Sequence, residues 1–182
     1  MKSITIIILL SACSGLTLAQ EKIEWSPSQK ITVGDFKGPA PDPKTKQSLI
    51  AHTGIESKLT GPDIKLLKNF NPQVANYFFP GDSWILASDK SRLSYFQALF
   101  DMNEWMAREL RKRCKENRKV VLAGQYELIY AQITSEFSKI REQYDQETDY
   151  GYDKSSQQEW ENKIHERISD LSDFCRTCGK KN

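Results

Sequence analysis

The cysteines have the spacing that most directly suggests chemistry. Three of the chain's four cysteines follow residue 20, and two of them, Cys175 and Cys178, are separated by two residues. This spacing is typical of a redox pair or of half a zinc site, but no second pair exists to complete four ligands. We expect a disulfide from Cys114 to one of the two, which would tie the C-terminal tail to a central helix. A Cys175–Cys178 bridge, free thiols and a redox role are the alternatives.

Only two histidines are available as general bases or metal ligands. His52 lies in a strand-like segment, and we expect it to be a structural or surface residue. His165 follows Ile164 in an amphipathic helical pattern, so we expect its ring to be solvated. A Cys–His or Ser–His catalytic pair, for example one with Cys114, has no nucleophile motif to support it.

Asp101 and Glu104 are the candidate pair of carboxylates, because a spacing of three residues puts both on one face of a helix. The more ordinary interpretation is an exposed ion pair, which contributes only about 0.3 to 0.5 kcal/mol. Glu104 has Arg108 four residues away, and Asp101 could pair with Arg141 or with lysines elsewhere.

Two halves of different composition must position these residues. Residues 23–86 are rich in glycine and proline, and their apolar stretches are short. We expect short strands such as Ile31 to Val33, Ser48 to Lys58 and Ser83 to Leu86, joined by loops. From Asp89 onward proline is absent and charged residues recur at helical spacing.

The second half predicts three helices, at about Ser91 to Lys115, Arg118 to Tyr144 and Ser155 to Asp173. Ser88, Asp89 or Ser91 could cap the first of them. Two neighbouring apolar stripes on the first helix indicate that it is mostly enclosed. The inward face of the third helix is predicted to carry Trp160, Ile164, Ile168 and Leu171.

Several short motifs, taken in order, resemble the bacterial putative secreted zinc-dependent proteases, a family of otherwise unknown function. The likeness begins at Trp25 and continues through Ile31–Pro39 and His52–Ile55. It extends through the first predicted helix and the C-terminal part, and so covers nearly all of the chain after residue 20. The matching positions there are Ser83, Trp84, Gln97, Phe100, Asp101, Glu104, Ala107, Arg108, Tyr144, Asp145, Glu147, Thr148, Gly151, Gln157 or Gln158, and Trp160.

The chain departs from that family at the metal-binding motif. The family helix carries a His-Glu-x-x-His type signature, whose two histidines hold zinc and whose glutamate activates water. In this sequence Tyr95 and Leu99 occupy the two ligand positions, and Phe96 occupies that of the general base. A further family histidine corresponds to Tyr150. Leu and Phe offer no lone pair and neutral Tyr is a poor ligand, so the resemblance implies a degenerate site without metal or cofactor.

The resemblance implies an α+β fold that is zincin-like, with a small N-terminal antiparallel sheet packed on a bundle of three helices. It also implies that Gln97, Asp101 and Glu104 are retained neighbours of the lost motif, where they would orient and support it. Tyr95 and Tyr150, with Tyr152 beside them, would line the former active-site cleft. The expected role is non-catalytic binding of a protein, a peptide or a cell-envelope component; the alternative is an active zinc hydrolase with unconventional ligands such as His52.

The first residues are typical of an export signal, because Lys2 precedes an apolar run from Ile4 to Leu10 that is too short to span a bilayer. We expect cleavage after Ala19, giving a signal peptide at 1–19 and one domain at 20–182. The alternative is a lipoprotein box ending at Cys13, which would then be lipidated. Both predict a protein outside the cytoplasm, periplasmic or secreted.

Charge argues against a nucleic-acid partner. The 26 basic residues become 25 when Lys2 is removed, against 24 acidic ones, so the net charge of the remaining chain is +1. After the signal, the sequence contains no apolar stretch long enough to span a membrane.

Overall fold

The structure is a computed structural model that describes residues 21–42, 44, 49–86, 89 and 92–178. The predicted signal segment, its cleavage site and Cys13 lie outside these residues, and so do Ser88 and Ser91. The fold is mixed, with helices and small antiparallel sheets, as the composition of the two halves predicted.

Five short strands form two antiparallel sheets within the described ranges. The larger sheet has the order β1-β4-β3, with β4 in the centre, and Phe78 of β4 is opposite both Ile23 and Thr53. The second sheet pairs β2 with β5. The bounds are Ile23–Glu24 for β1, Leu49–Ile50 for β2, Thr53–Ser57 for β3, Val74–Phe78 for β4 and Trp84–Ile85 for β5.

Some strand predictions are wrong. The expected strand at Ile31 to Val33 is a turn, because the Thr32 backbone N–H and hydroxyl both donate to the Asp35 carboxylate, at 2.7 Å each, and close a 3-10 turn over Val33–Asp35. The expected strand from Ser48 to Lys58 is two strands, β2 and β3, in different sheets.

Four helices follow in the described part of the chain: α1 at Leu93–Glu116, α2 at Arg118–Leu122, α3 at Tyr126–Glu147 and α4 at Lys154–Asp170. The prediction of one helix from Arg118 to Tyr144 is therefore wrong. Gly124 interrupts it with a φ of 80°, a left-handed conformation that glycine adopts without steric cost. The start of α4 is capped by the Asp153 side chain, which accepts from the backbone of Ser155 at 2.9 Å.

Helix α1 lies at the centre of the molecule and packs against β3, β4, α3 and α4. Its two apolar stripes are buried on both sides, as predicted for an enclosed helix. The predicted inward face of α4 is also confirmed, since Trp160, Ile164, Ile168 and Leu171 are all buried. No helix in the described ranges combines the length and the hydropathy needed to cross a membrane.

Three charged side chains of α1 are buried together. Glu104 accepts from Arg108 at 3.0 Å and from Arg111 at 2.9 Å. The predicted Glu104–Arg108 pair thus forms, but it lies in the interior rather than on an exposed face. The arginines donate further to the carbonyls of Val74, Ile168 and Phe174, so this charged cluster links α1 to β4, α4 and the turn that follows α4.

The turn between α3 and α4 has three consecutive residues with positive φ: Asp149 at 47°, Tyr150 at 51° and Gly151 at 86°. Gly151 packs directly on α1, because a Cβ added there would lie 2.4 Å from the Cβ of Tyr95. The backbone of the turn therefore lies directly against the Tyr95 side chain near the start of α1.

We predict that Gly151→Ala destabilises the protein more than Gly124→Ala does. Both glycines have positive φ, so each alanine costs about 1 to 2 kcal/mol of backbone strain. Only Gly151 adds a steric clash, because a Cβ at Gly124 meets nothing within 4 Å. The clash should add roughly 1 to 3 kcal/mol, measured by urea unfolding. Equal losses for the two variants would contradict this packing.

We also predict that Glu104→Gln costs about 3 to 5 kcal/mol of unfolding free energy, because it leaves two buried guanidinium groups without a counter-charge. Glu136→Gln is the matched control. Glu136 of α3 pairs with Arg113 of α1, the helix that carries Glu104, but 42% of the Glu136 side chain is exposed. That change should cost less than about 1 kcal/mol. Urea unfolding near neutral pH compares the two, and a small loss in both would show that the buried cluster is not stabilising.

Candidate functional site

The positions that correspond to the family's metal motif are packed into the core. Tyr95, Phe96 and Leu99 are 4%, 1% and 7% exposed. The ring of Tyr95 stacks on Tyr144 at 5.2 Å, and its hydroxyl donates to Asp145 at 2.6 Å. Phe96 lies within a cluster of phenylalanine rings. A ligand therefore has no open aromatic surface at these three positions.

Tyr150, the fourth motif position, is brought near this packing but faces solvent. It precedes Gly151, which touches Tyr95, and its carbonyl accepts from Arg92 at 3.2 Å. Its side chain is 53% exposed and that of Tyr152 is 60% exposed. The expected cleft lined jointly by Tyr95 and Tyr150 is not formed, because one ring is buried and the other is outside.

Asp101 is the centre of a different arrangement. One carboxylate oxygen accepts from Trp25 Nε1 at 2.7 Å and from Gln97 Nε2 at 3.0 Å, and the other lies 3.2 Å from His165 Nε2. Gln97 is itself held, because its Oε1 accepts from the Ile31 backbone at 3.0 Å. Three segments distant in sequence thus converge on one carboxylate that is 4% exposed.

Two expectations about these residues are corrected. Asp101 does not pair with Arg141, which instead contacts Asp145 at 3.0 Å. His165 is half-exposed, as a solvated residue would be, but it also faces Asp101 across a helix–helix contact. Sequence reasoning singled out Gln97 and Asp101 through the family resemblance. It gave no reason to connect these residues with His165, because Asp101 and His165 are 64 residues apart in the sequence.

A groove of about 310 Å³ opens at this carboxylate, and we refer to it as the Asp101 groove. Its apolar walls come from Trp25, Pro27 and Ile168, and His165 and Arg108 lie beside them. Lys30, Ser169 of α4 and Ser172 of the following turn also line the groove, together with Cys178. The groove combines apolar walls with a few oriented polar groups, which is typical of ligand sites.

His52, the other histidine, lies elsewhere. Its ring is 3.4 Å from the Asp82 carboxylate and packs near Phe79, with 63% of the side chain exposed. Across the described ranges, no three His, Cys, Asp or Glu side chains are grouped so that they could share a metal ion.

The disulfide joins Cys175 to Cys178, so the expected bridge from Cys114 is wrong and one of the alternatives is correct. Cys114 is a free thiol that is completely buried in α1, and burial raises its pKa to about 12. A thiol in this environment is protonated and unreactive at neutral pH.

We predict an alkaline loss of stability that depends on Tyr95. Burial and the hydrogen bond to Asp145 raise the pKa of Tyr95 from 10.0 to about 12. Its neutral form is therefore favoured by folding, and that contribution is complete below pH 10 and lost as the pH rises toward 12. Between pH 10 and 12, ionisation of Tyr95 should lower the unfolding free energy of the wild type by roughly 1 to 3 kcal/mol.

Tyr95→Phe tests this in urea unfolding across that pH range. The variant should be less stable than the wild type near pH 8, because it lacks the Asp145 hydrogen bond, and the difference should shrink as the pH rises. Tyr152→Phe is the control, since its hydroxyl is on an exposed side chain. Parallel pH profiles for Tyr95→Phe and the wild type would contradict the prediction.

No protein-family model, curated protein or solved structure matches the chain. The resemblance to the secreted zinc-protease-like family therefore rests on the residues and spacings of the sequence alone, and function is argued from the groove and its side chains.

Proposed function

We propose that this protein is an exported binding protein without protease activity that takes a short peptide segment in the Asp101 groove. The observation that carries this proposal is the buried Asp101 carboxylate, held by Trp25 and Gln97 directly beneath the half-exposed ring of His165. Such a carboxylate fixes the orientation of the imidazole at the edge of an apolar groove.

The hydrogen-bonding capacity of His165 suits a peptide backbone. A carboxylate can only accept, so His165 Nε2 carries the hydrogen that points to Asp101. In the neutral ring Nδ1 is then an acceptor, and a ligand amide N–H can donate to it. Because the ring is half-exposed, this contact needs no opening of the core.

The size and lining of the groove suit one apolar side chain together with its backbone. About 310 Å³ is near the lower limit of the volumes typical of small-molecule sites. Trp25 and Ile168 offer apolar contact, while Lys30 and Ser169 supply polar groups at the rim. These features favour a peptide over the other expected partners, a folded protein surface or an envelope polysaccharide.

The absence of protease activity is part of the proposal, and it is inferred from the residue types at the motif positions. Tyr95 and Leu99 stand where the resemblance requires zinc-binding histidines, and Phe96 stands at the position of the general base. Gln97 bonds the Ile31 backbone and Asp101, and Asp101 also bonds Trp25 and faces His165, so these polar groups are used in contacts within the protein. We infer that the protein is a pseudoenzyme related to zinc-dependent proteases.

Export is inferred from residues 1–19 alone, with a lipid anchor at Cys13 as the alternative. A detergent-partitioning experiment on Cys13→Ser separates the two. The alternative function, a zinc hydrolase that uses His52, is tested by zinc content after purification without chelator. One zinc per chain would support that alternative and contradict the proposed role.

We predict that substitutions in the groove weaken peptide binding without unfolding the protein. Peptides selected from a random library on the wild type should bind Ser169→Trp and His165→Ala at least ten-fold more weakly, a loss of about 1.4 kcal/mol. Ser169 is exposed and lines the groove, so a large ring there blocks the groove. His165→Ala removes the ring nitrogen that accepts from the backbone N–H of the peptide. Calorimetric titration measures both affinities.

Glu166→Trp is the matched control, because Glu166 is exposed on the same helix. It should leave peptide affinity unchanged. If the selected peptides bind Ser169→Trp as tightly as the wild type, the Asp101 groove is not the binding site. If selection yields no peptide above background, the assignment of a peptide ligand is wrong.

A further inference from the structure

The Cys175–Cys178 bridge contributes little as a structural staple. It closes a loop with only two residues between the cysteines, and it joins no two distant elements. The stabilisation that a disulfide provides by restricting the unfolded chain grows with loop length, so this bridge is near the lower end of that range. Its presence therefore calls for another explanation.

Cys178 is the exposed cysteine of the bridge, and its sulfur lies beside a buried positive charge. Cys178 is exposed, and Arg108 Nη2 points at its Sγ from 3.7 Å. The other nitrogens of Arg108 donate to Glu104 and to the Ile168 carbonyl. Because Glu104 is shared with Arg111, two guanidinium groups face one carboxylate, and positive charge remains to act on the sulfur.

The second sulfur has its own stabilising donor. Cys175 Sγ accepts from the Cys178 backbone N–H at 2.9 Å, and the Thr177 hydroxyl is 3.9 Å away. Cys175 is less exposed than Cys178. Neighbouring cations and N–H donors stabilise a thiolate over a thiol, and this makes a cysteine a better nucleophile and a better leaving group at neutral pH.

The environment of Arg108 supports this electrostatic role. Burial lowers the pKa of its guanidinium, while Glu104 beside it acts in the opposite direction. A buried cation that is only partly compensated gains from a nearby anion such as a thiolate. The other charged or titratable side chains lining the groove beside Cys178 are Lys30, Asp101 and His165.

We propose that Cys175 and Cys178 form a redox-active pair that exchanges disulfides with the thiols of a partner protein outside the cytoplasm. Cys178 is the sulfur that is attacked and carries the mixed disulfide, and Cys175 is the resolving cysteine. This proposal does not depend on the peptide-binding role of the Asp101 groove.

The exchange balances in two steps. A partner thiolate attacks Cys178 Sγ, the Cys175–Cys178 bond breaks, and Cys175 leaves as a thiolate stabilised by the Cys178 N–H. A second thiolate of the partner then attacks its own sulfur in the mixed disulfide and releases Cys178 as a thiolate beside Arg108. The partner dithiol has lost two electrons and become a disulfide, and the pair here has gained them. In the reverse direction, a partner disulfide reoxidises the pair.

Two variants, each lacking one cysteine of the pair, test the assignment of the two sulfurs. The protein is purified as the cell produces it and treated with oxidised glutathione, and the mixed disulfides are mapped by mass spectrometry, so the remaining cysteines do not confuse the result. Cys178 in the Cys175→Ser variant should react at least ten-fold faster than Cys175 in the Cys178→Ser variant. Equal or reversed rates would overturn the assignment.

The role of Arg108 is tested by the pH dependence of alkylation of Cys178 by iodoacetamide in the Cys175→Ser variant. Half-maximal reactivity should occur below the usual thiol value of about 8.5. Adding Arg108→Met should shift it upward by about one pH unit, whereas Arg113→Met, on the same helix, should not. Should Arg108→Met fail to fold, the profile of Cys178 with Arg108 intact still decides, since a midpoint at or above about 8.5 overturns the proposal.

Reduction of the Cys175–Cys178 bond in the folded protein distinguishes a redox-active pair from a structural disulfide. Reduced glutathione at millimolar concentration should open the wild-type bridge while the circular dichroism spectrum stays native. A bridge that opens only after unfolding would overturn the proposal. Because no peptide is present in this measurement, its outcome does not bear on the peptide-binding role of the Asp101 groove, and the two proposals fail separately.

Discussion

The buried cluster of Glu104, Arg108 and Arg111 is the interaction on which the rest of the structure depends. A carboxylate and two guanidinium groups are costly to remove from water, and they are tolerated only when nearly every donor finds an acceptor. Here those acceptors are backbone carbonyls of β4, α4 and the turn after α4. Because a shift of any of these elements would leave a buried charge without a partner, the cluster fixes the position of α1 against both the sheet and α4.

The Asp101 groove follows from this constraint. Gln97, Asp101, Glu104 and Arg108 recur at intervals of three or four residues, so they line one face of α1. The C-terminal end of that face is closed by α4 through the Arg108 bond to Ile168, and its N-terminal end is covered by the segment that carries Trp25. The groove is the space left between these two coverings, and its polar floor continues the row of side chains that anchors the helix.

Local patterns predicted the elements that local forces determine. The positions of α1 and α4 and the enclosure of α1 could be predicted from apolar periodicity, and the Glu104–Arg108 pair from its spacing. The central strand β4 could not, because it lies between Pro72 and Pro80 and carries the polar Asn76. The Asn76 side chain is nevertheless buried, and its amide donates to the Phe100 carbonyl of α1. The Asp101 site was missed for the same reason: each of its contacts with Trp25 and His165 joins residues more than 60 positions apart. The Cys175–Cys178 pairing was one of several alternatives that spacing allowed, and the structure has this bond, with Cys114 buried in the core as a free thiol.

Tyr95 and its neighbours join three helices of the molecule. In a zincin-like helix the metal ion ties the helix to other segments through its ligands. In this chain Tyr95 reaches α3 through its stacking on Tyr144 and its bond to Asp145, and the Tyr144 hydroxyl donates to Gln157 of α4 at 2.8 Å. Gly151 then brings the intervening turn into contact with Tyr95. An apolar and hydrogen-bonded junction of this kind can hold α1, α3 and α4 together without any ion. The junction lies where the family that the sequence resembles carries its metal ligands, and here packing and hydrogen bonds join the helices at these positions.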